Sequence, residues 1–190
     1  MIGVLVSGNG SNLQALIDAG LPISGVAANR KDAFALQRAR EAGIPVAVFG
    51  LDCHASREER DRMMATWLEE HGVEIVVLAG YMHLVTRPFL VRFPNRVVNV
   101  HPSLLPAFPG LHAIEQAIDA GVAETGVTVH LVDEGLDTGP VLRQEAVVVA
   151  PVETLEERIH AVEHRLLPEV VRSLINETAT FATTTSKEIS

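Results

Sequence analysis

The sequence predicts an α/β fold in a single domain, with a mostly parallel sheet, helices on both faces, and antiparallel strands in the C-terminal part. Up to about residue 100, short apolar runs alternate with segments of helical periodicity. Several of these runs contain almost no polar residue, as expected of parallel strands that are covered on both faces. Beyond residue 100, two runs alternate apolar and polar residues around a turn, which indicates antiparallel strands.

The N-terminal elements follow from the apolar runs and from the residues that end them. Gly20 and Gly72 close helical segments, and Ser56 before an acidic turn is a favoured helix N-cap. The predicted strands span residues 1–7, 23–29, 44–50, 73–80 and 96–101. The predicted helices span residues 11–20, 31–43 and 56–72, with a short one near 86–92. This alternation of strands and helices is Rossmann-like.

The C-terminal elements begin after a loop over residues 102–110, which holds three prolines in nine residues and is predicted to be ordered. A helix is predicted over 111–121, strands over 126–135 and 140–150, and a long helix from about 153 to 176. The threonine-rich tail, 177–190, lacks periodicity and is predicted to be frayed. Residues 1–176 are therefore expected to form the domain.

Composition argues against several classes of protein. Hydrophobic residues make up 47% of the 190 residues, which is enough for a core and excludes global disorder. The net charge of −9 argues against a nucleic-acid binder, which needs cations to neutralise phosphates. Cys53 is the one cysteine, so neither an internal disulfide nor a thiolate metal cluster can form. Because the sequence has neither an apolar span nor a basic signal region, we expect a cytoplasmic protein without a membrane partner.

The SGNGSN segment, residues 7–12, lies between the first predicted strand and the first predicted helix. Glycines allow a ligand to approach the backbone closely, and the N–H groups and dipole of the following helix favour an anion. No Gly-Lys-Ser/Thr follows, so the segment is not a P-loop, and the dinucleotide fingerprint lacks its third glycine. The segment is therefore either a phosphate site or a plain turn in which Ser11 or Asn12 caps the helix.

A second candidate site lies at the end of the strand predicted over 96–101. Strand alternation places Asn99 and His101 on the same side. An amide can donate to a developing oxyanion and an imidazole can move a proton, so the pair suits acyl transfer. The alternative is a strand end with a solvated histidine.

A third candidate is the turn DEGLDTGP, residues 133–140, which carries three acids. The acids could bind Ca²⁺ or Mg²⁺, although the EF-hand spacing is absent. Alternatively, the turn is simply solvated, or one aspartate orients a histidine or a water molecule.

Four segments, in this order, resemble the formyltransferase family that uses 10-formyltetrahydrofolate: SGNGSNLQ, VVLAGYM, NVHPSLLPAFPGLHA and DEGLDTGPV. The resemblance covers roughly residues 1–176, and the first segment is similar to the branch that formylates glycinamide ribonucleotide in purine biosynthesis. It implies a catalytic domain that takes 10-formyltetrahydrofolate as co-substrate and needs no metal. It also implies small-molecule partners rather than nucleic acid or membrane, and it is compatible with a homo-oligomer.

The resemblance also implies roles for individual residues. The implied catalytic residues are Asn99, His101 and Asp137. The implied ribonucleotide contacts are Gly10, Ser11, Asn12, Gly80 and Glu163. The implied folate contacts are Arg57, Met82, His83, Leu84, Val85 and Asn99. From the residues alone, Arg57 and Glu163 would be interpreted as solvated helix-surface charges; His112 and His130 also fall near the implied site.

Three positions depart from the pattern of that family. His83 stands where a basic residue often follows the methionine, and Ala107 stands where a lysine is frequent. His160 stands where an amide is common, near the end that would hold the glycinamide.

The sequence therefore predicts a transferase in which the substrate amine attacks the formyl carbon directly, through a tetrahedral intermediate. Asn99 and protonated His101 would stabilise the oxyanion, and Asp137 would organise a water molecule beside the imidazole. One alternative is a hydrolase that releases formate from the same folate. The other is a non-catalytic nucleotide- or folate-binding module whose functional content is the SGNGSN segment.

Overall fold

The computed structural model describes residues 1–185 of the chain, with side chains up to residue 177. In this part of the chain, one sheet of seven strands has the order β3-β2-β1-β4-β5-β6-β7. The strands are β1 (Ile2–Val6), β2 (Ile23–Ala28), β3 (Val46–Val48), β4 (Ile75–Leu78), β5 (Val97–His101), β6 (Glu124–Leu131) and β7 (Val141–Val148). The strands β1 to β5 pair in parallel, while β6 pairs antiparallel with both β5 and β7. The predicted mostly parallel sheet with antiparallel C-terminal strands is confirmed.

Helices cover both faces of this sheet, as the apolar runs predicted. They are α1 (Ser11–Asp18), α2 (Ala35–Glu41), α3 (Arg57–Glu70), α4 (Arg87–Leu90), α5 (Ala113–Asp119) and α6 (Leu155–Thr185). One core packs α1, α2 and α6 against the sheet through side chains such as Leu13, Leu36 and Ile159. The other core packs α3 and α4 through Met64 and Phe89. None of the described helices is both long and apolar enough to cross a membrane.

The order of the strands creates a crevice at one edge of the sheet. Chain order reverses between β1 and β4, because β2 and β3 lie on one side of β1 while β4 and β5 lie on the other. In open α/β sheets, ligands bind beyond the carboxyl ends of the strands at such a reversal. The SGNGSN segment follows β1, and His101 ends β5, so both lie at this edge.

Two helix boundaries differ from the sequence-based expectation. Helix α2 begins at Ala35 rather than near residue 31, because the Arg30–Asp32 side-chain pair and the hydrogen bond from Ala33 N to Arg30 O form a turn first. Helix α6 continues to Thr185, beyond the expected end near 176, because no glycine or proline interrupts the chain there. Of the predicted frayed tail, residues 186–190 lie outside the described residues.

Candidate functional site

The SGNGSN segment forms a tight link from β1 into α1. Gly10 is the N-cap of α1 with φ 77°, and no side chain caps this helix, so the alternative in which Ser11 or Asn12 caps it is wrong. A Cβ atom on Gly10 would lie 2.5 Å from the Cβ of Ala35, at the start of α2. Gly10 is therefore required by backbone conformation and by packing, before any ligand is considered. The N–H groups of the first turn of α1 remain available to an anion.

Asn12 connects this segment to α6. Its Nδ2 donates to Glu163 Oε2 at 3.0 Å, and both side chains are buried. Burial raises the pKa of the Glu163 carboxyl, while the hydrogen bond from Asn12 and the nearby His160 act in the opposite direction. Glu163 is thus not a solvated helix charge, and a buried carboxylate beside an amide is suited to binding a polar, hydrogen-bond-donating ligand.

A cleft of about 400 Å³ opens beyond the ends of β4 and β5. Of the residues implied by the sequence, it is lined by Arg57, Gly80, Met82, His83, Leu84, Val85, Asn99, His101 and Asp137. The structure therefore brings the implied folate contacts and the implied catalytic residues into one cavity. Gly10, Ser11, Asn12 and Glu163 lie outside its lining, on the α1 side of the sheet edge. Ser7 links the two sides, because its Oγ accepts a hydrogen bond from Met82 N at 2.9 Å.

Asn99, His101 and Asp137 converge within the cleft. Strand β5 presents Asn99 and His101 to the cavity, and Asp137 reaches them from the turn between β6 and β7. Asn99 Nδ2 lies 3.3 Å from Asp137 Oδ1, and His101 Nδ1 lies 3.4 Å from Asp137 Oδ2. The ring of His101 is also held at its other nitrogen, since Nε2 lies 2.8 Å from the carbonyl oxygen of Phe108. Both ring nitrogens of His101 thus face an acceptor, so the protonated ring can donate on both sides.

Asp137 is the inward-facing acid of the turn DEGLDTGP. Its side chain is only 10% exposed, and Gly110 N donates to Oδ2 at 2.8 Å. Burial alone would raise its pKa, but hydrogen bonds from His130 and Gly110 and the charges of His101 and His130 hold the pKa of this carboxyl below its usual value. Asp137 has φ 54°, a left-handed conformation that aspartate and asparagine tolerate.

The other two acids of this turn, Asp133 and Glu134, are exposed and lie at the lining of the cleft. Asp133 accepts hydrogen bonds from Gly135 N and Thr138 Oγ1 within the turn, and Glu134 pairs with Arg87 at 3.6 Å. Across the described residues, no group of three or more His, Cys, Asp or Glu side chains is arranged to hold a metal ion.

His130 is more central than the sequence indicated. It is 2% exposed and lies opposite Asn99 across the β5–β6 pair. Its Nε2 lies 3.2 Å from Asn99 Nδ2 and 3.5 Å from Asp137 Oδ1. Alternation along β6 places it on the cleft side, but its contact with Asp137 depends on how the turn folds back. His112 also lines the cleft, although its side chain is 75% exposed.

The positions that depart from the family pattern have distinct surroundings. His83 Nδ1 contacts Arg60 and Asn29. Ala107 contributes its carbonyl oxygen, which accepts a hydrogen bond from Ser103. His160 stacks on His164 along α6, with ring centroids 6.1 Å apart.

Comparison with known proteins identifies relatives over most of the chain. The model of the Formyl transferase family matches residues 1–171. Phosphoribosylglycinamide formyltransferase of Bacillus subtilis (strain 168) is 38% identical, over 90% of this chain and 93% of that protein. Trifunctional purine biosynthetic protein adenosine-3 of Drosophila melanogaster is 44% identical over 94% of this chain, which spans 14% of that protein's length. The crystal structure of glycinamide ribonucleotide transformylase 1 from Symbiobacterium toebii has a TM-score of 0.87 and 47% identity, covering 90% of this chain and 85% of that one.

Proposed function

We propose that this chain, which belongs to the formyl transferase family, transfers a formyl group from 10-formyltetrahydrofolate to the amine of glycinamide ribonucleotide in purine biosynthesis. The transferase expected from the sequence agrees with the activity named for its relatives. The observation that carries the proposal for the site is the convergence of Asn99, His101 and Asp137 in one cleft beside the SGNGSN segment. The other activities of the trifunctional relatives are not part of this proposal.

The cleft suits a folate. Its walls carry apolar side chains, including Leu84, Val85 and Leu136, which can contact a flat ring system. Arg57 lies at its lining on α3, where a guanidinium can pair with the carboxylates of the folate tail. Bound there, the folate would supply the formyl group as an N10 amide, and Asn99 would lie beside it.

The opposite side of the site suits the ribonucleotide. The first turn of α1 offers N–H groups and a positive dipole end to the phosphate, with Ser11 adding a hydroxyl. Glu163 and Asn12 lie next to this turn and would hold the polar end of the substrate. The two ligands would then meet near Gly80, which has φ 70° and open space where a Cβ would project.

Chemistry at the meeting point requires oxyanion stabilisation and one proton transfer. As the amine attacks the formyl carbon, the Asn99 amide donates a hydrogen bond to the developing oxyanion. The protonated His101 ring, whose two nitrogens face Asp137 and Phe108, stabilises the oxyanion through its positive charge. For each formyl group transferred, one proton moves from the attacking amine to the folate nitrogen N10. The carboxylate of Asp137 orients a water molecule that relays this proton.

An acceptor-dependence assay tests the proposal. With 10-formyltetrahydrofolate and glycinamide ribonucleotide, we expect tetrahydrofolate and the formylated ribonucleotide to appear in equal amounts. Formate release at the same rate without the ribonucleotide would instead identify a hydrolase. Binding without turnover would identify a non-catalytic module, and alanine at Asn99 and His101 would then leave binding intact. The cytoplasmic location and the absence of a nucleic-acid partner stay predictions from the sequence, which is also compatible with a homo-oligomer.

A further inference from the structure

Arg60 is a fully buried arginine on α3 that the proposed reaction does not use. Its Nε donates to Asp61 Oδ1 at 2.8 Å, and Asp61 Oδ2 accepts a hydrogen bond from Thr86 N at 2.7 Å. Burying an ion pair carries a desolvation cost of several kcal/mol per ion, and apolar residues of similar volume are often equally stabilising. A contribution to stability therefore does not by itself explain an arginine at this position. The remaining contact of Arg60 indicates a different role.

That contact is with His83, at the wall of the cleft. Arg60 Nη1 lies 3.0 Å from His83 Nδ1, and Asn29 Nδ2 lies 3.2 Å from the same atom. A guanidinium has only donors, so Nδ1 must present its lone pair, and the ring proton must be on Nε2. An asparagine amide can turn to offer either a donor or an acceptor, so Asn29 alone could not impose this tautomer. Arg60 alone decides it.

Burial and the two nearby arginines also favour the neutral form of His83. Burial lowers the pKa of His83, and the positive charges of Arg60 and Arg57 on α3 lower it further, while Asp61 opposes them. The ring of Tyr81 stands edge-on to the imidazole with centroids 5.9 Å apart. Protonation of His83 would place a third cation beside two arginines and would remove the acceptor that Arg60 uses.

We propose that Arg60 is a positioning residue that fixes His83 as a neutral Nε2–H donor at the wall of the folate cleft. His83 lines that cleft between Met82 and Leu84, so it presents to the folate a hydrogen-bond donor that does not change charge with pH. The identity of the ligand rests on the proposed function, whereas the tautomer rests on the contacts of Arg60. Folate binding at this wall is then independent of pH in the range where an ordinary histidine titrates, about 5.5–7.5.

NMR of the full chain with ¹⁵N-labelled histidine tests the tautomer without any variant. We expect His83 Nδ1 to stay unprotonated and Nε2 to stay protonated across that range, whereas the urea-unfolded chain titrates near about 6.5. Protonation of Nδ1 with an ordinary midpoint in the folded chain would overturn the proposal. Signals of His83 that do not move when 10-formyltetrahydrofolate is added would overturn its role toward the folate. The acceptor-dependence assay judges the proposed activity separately.

A paired substitution tests the action of Arg60. Replacing Arg60→Met together with Asp61→Asn removes both buried charges and keeps an acceptor for Thr86 N, and circular dichroism checks folding. We expect His83 to titrate in this variant, and the folate KM to become pH-dependent by about threefold or more across the histidine range. Arg62→Ala is the matched control, because Arg62 is an exposed arginine of the same helix outside the cleft lining. It should leave the folate KM and the His83 tautomer unchanged at every pH. A paired variant with a flat KM and an unchanged tautomer would overturn the positioning role.

Discussion

The two sides of the candidate site are built in opposite ways. On the ribonucleotide side, residues 8–12 offer backbone N–H groups whose placement depends on φ and on packing against Ala35. On the cleft side, the carboxylate of Asp137 gathers three side chains around it: Asn99, His101 and His130. Binding at the first side depends on backbone geometry, whereas the arrangement at the second side depends on the charge of one carboxylate. Substitutions that preserve shape but alter charge should therefore damage the Asp137 cluster far more than the turn over residues 8–12.

The largest effect is expected for Asp137→Asn. This change keeps the size and the left-handed backbone of the residue, but it removes the charge that faces His101 and His130. Because general acid–base assistance contributes about 10²–10⁴-fold, we expect kcat to fall by that order, with smaller changes in both KM values. Single-turnover rates measure the effect. An unchanged kcat would show that the gathered cluster is structural.

Ser11→Ala probes the geometric side. No side chain caps α1, so the thermal unfolding midpoint should not move. Loss of a hydrogen bond to a phosphate, about 1.5–3 kcal/mol, should raise the KM for the ribonucleotide by roughly 10–100-fold and leave the folate KM unchanged.

Gly10→Ala is the matched contrast. It should lower thermal stability, since its Cβ would meet Ala35 in a left-handed backbone. Equal KM changes for both ligands in the Ser11 variant would contradict the division of the site.

A smaller effect is expected for Arg57→Ala on the cleft side. Arg57 lines the cleft but is exposed, and an exposed charge contact is worth at most about 1 kcal/mol. The folate KM should rise up to about fivefold, while the ribonucleotide KM and kcat stay constant. Arg62→Ala is the control, because Arg62 is an exposed arginine of the same helix that lies outside the cleft lining. Equal folate KM values for the two variants would show that Arg57 is a solvated surface charge that does not contact the folate.

The smallest effect concerns stability, through Glu163→Gln. The raised pKa of Glu163 means that its stabilising contribution is complete below the unfolded value, near 4.5, and is lost as pH rises through the folded value. Glutamine avoids this loss and can still accept the hydrogen bond from Asn12. We expect the unfolding midpoint at neutral pH to rise by about 2–4 °C, the shift that roughly 1 kcal/mol produces. The gain should vanish below about pH 4, and destabilisation at neutral pH would contradict it.

Much of the sheet could be predicted because its strands carry their own signal. β4 consists of isoleucine, valine and leucine, and β5 carries three valines in five residues, so both are recognisable without their neighbours. The start of α2 was less predictable, because a side-chain pair between Arg30 and Asp32 competes with the helix. The C-terminal end of α6 was equally hard to predict. Its threonine-rich segment has a weak helix propensity but contains no residue that stops a helix.

The site was predictable only where it lies on regular structure. Alternation along β5 predicts that Asn99 and His101 share a side, and they do. The position of Asp137 depends on a turn that the Gly110 amide holds, which no local pattern encodes. Arg60 resembles a surface charge in an Arg/Glu-rich helix, yet it shares the face of Met64 and Leu68 at a spacing of four, a signal that could have revealed its burial.

A crystal structure with glycinamide ribonucleotide and a stable formyl-folate analogue bound together tests the division of the site most directly. We predict the phosphate within hydrogen-bond distance of the backbone nitrogens of residues 10–12. We predict the formyl carbon within one hydrogen bond or one water molecule of Asn99, His101 and Asp137. A phosphate bound beside Arg57, or a formyl group remote from Asp137, would contradict it.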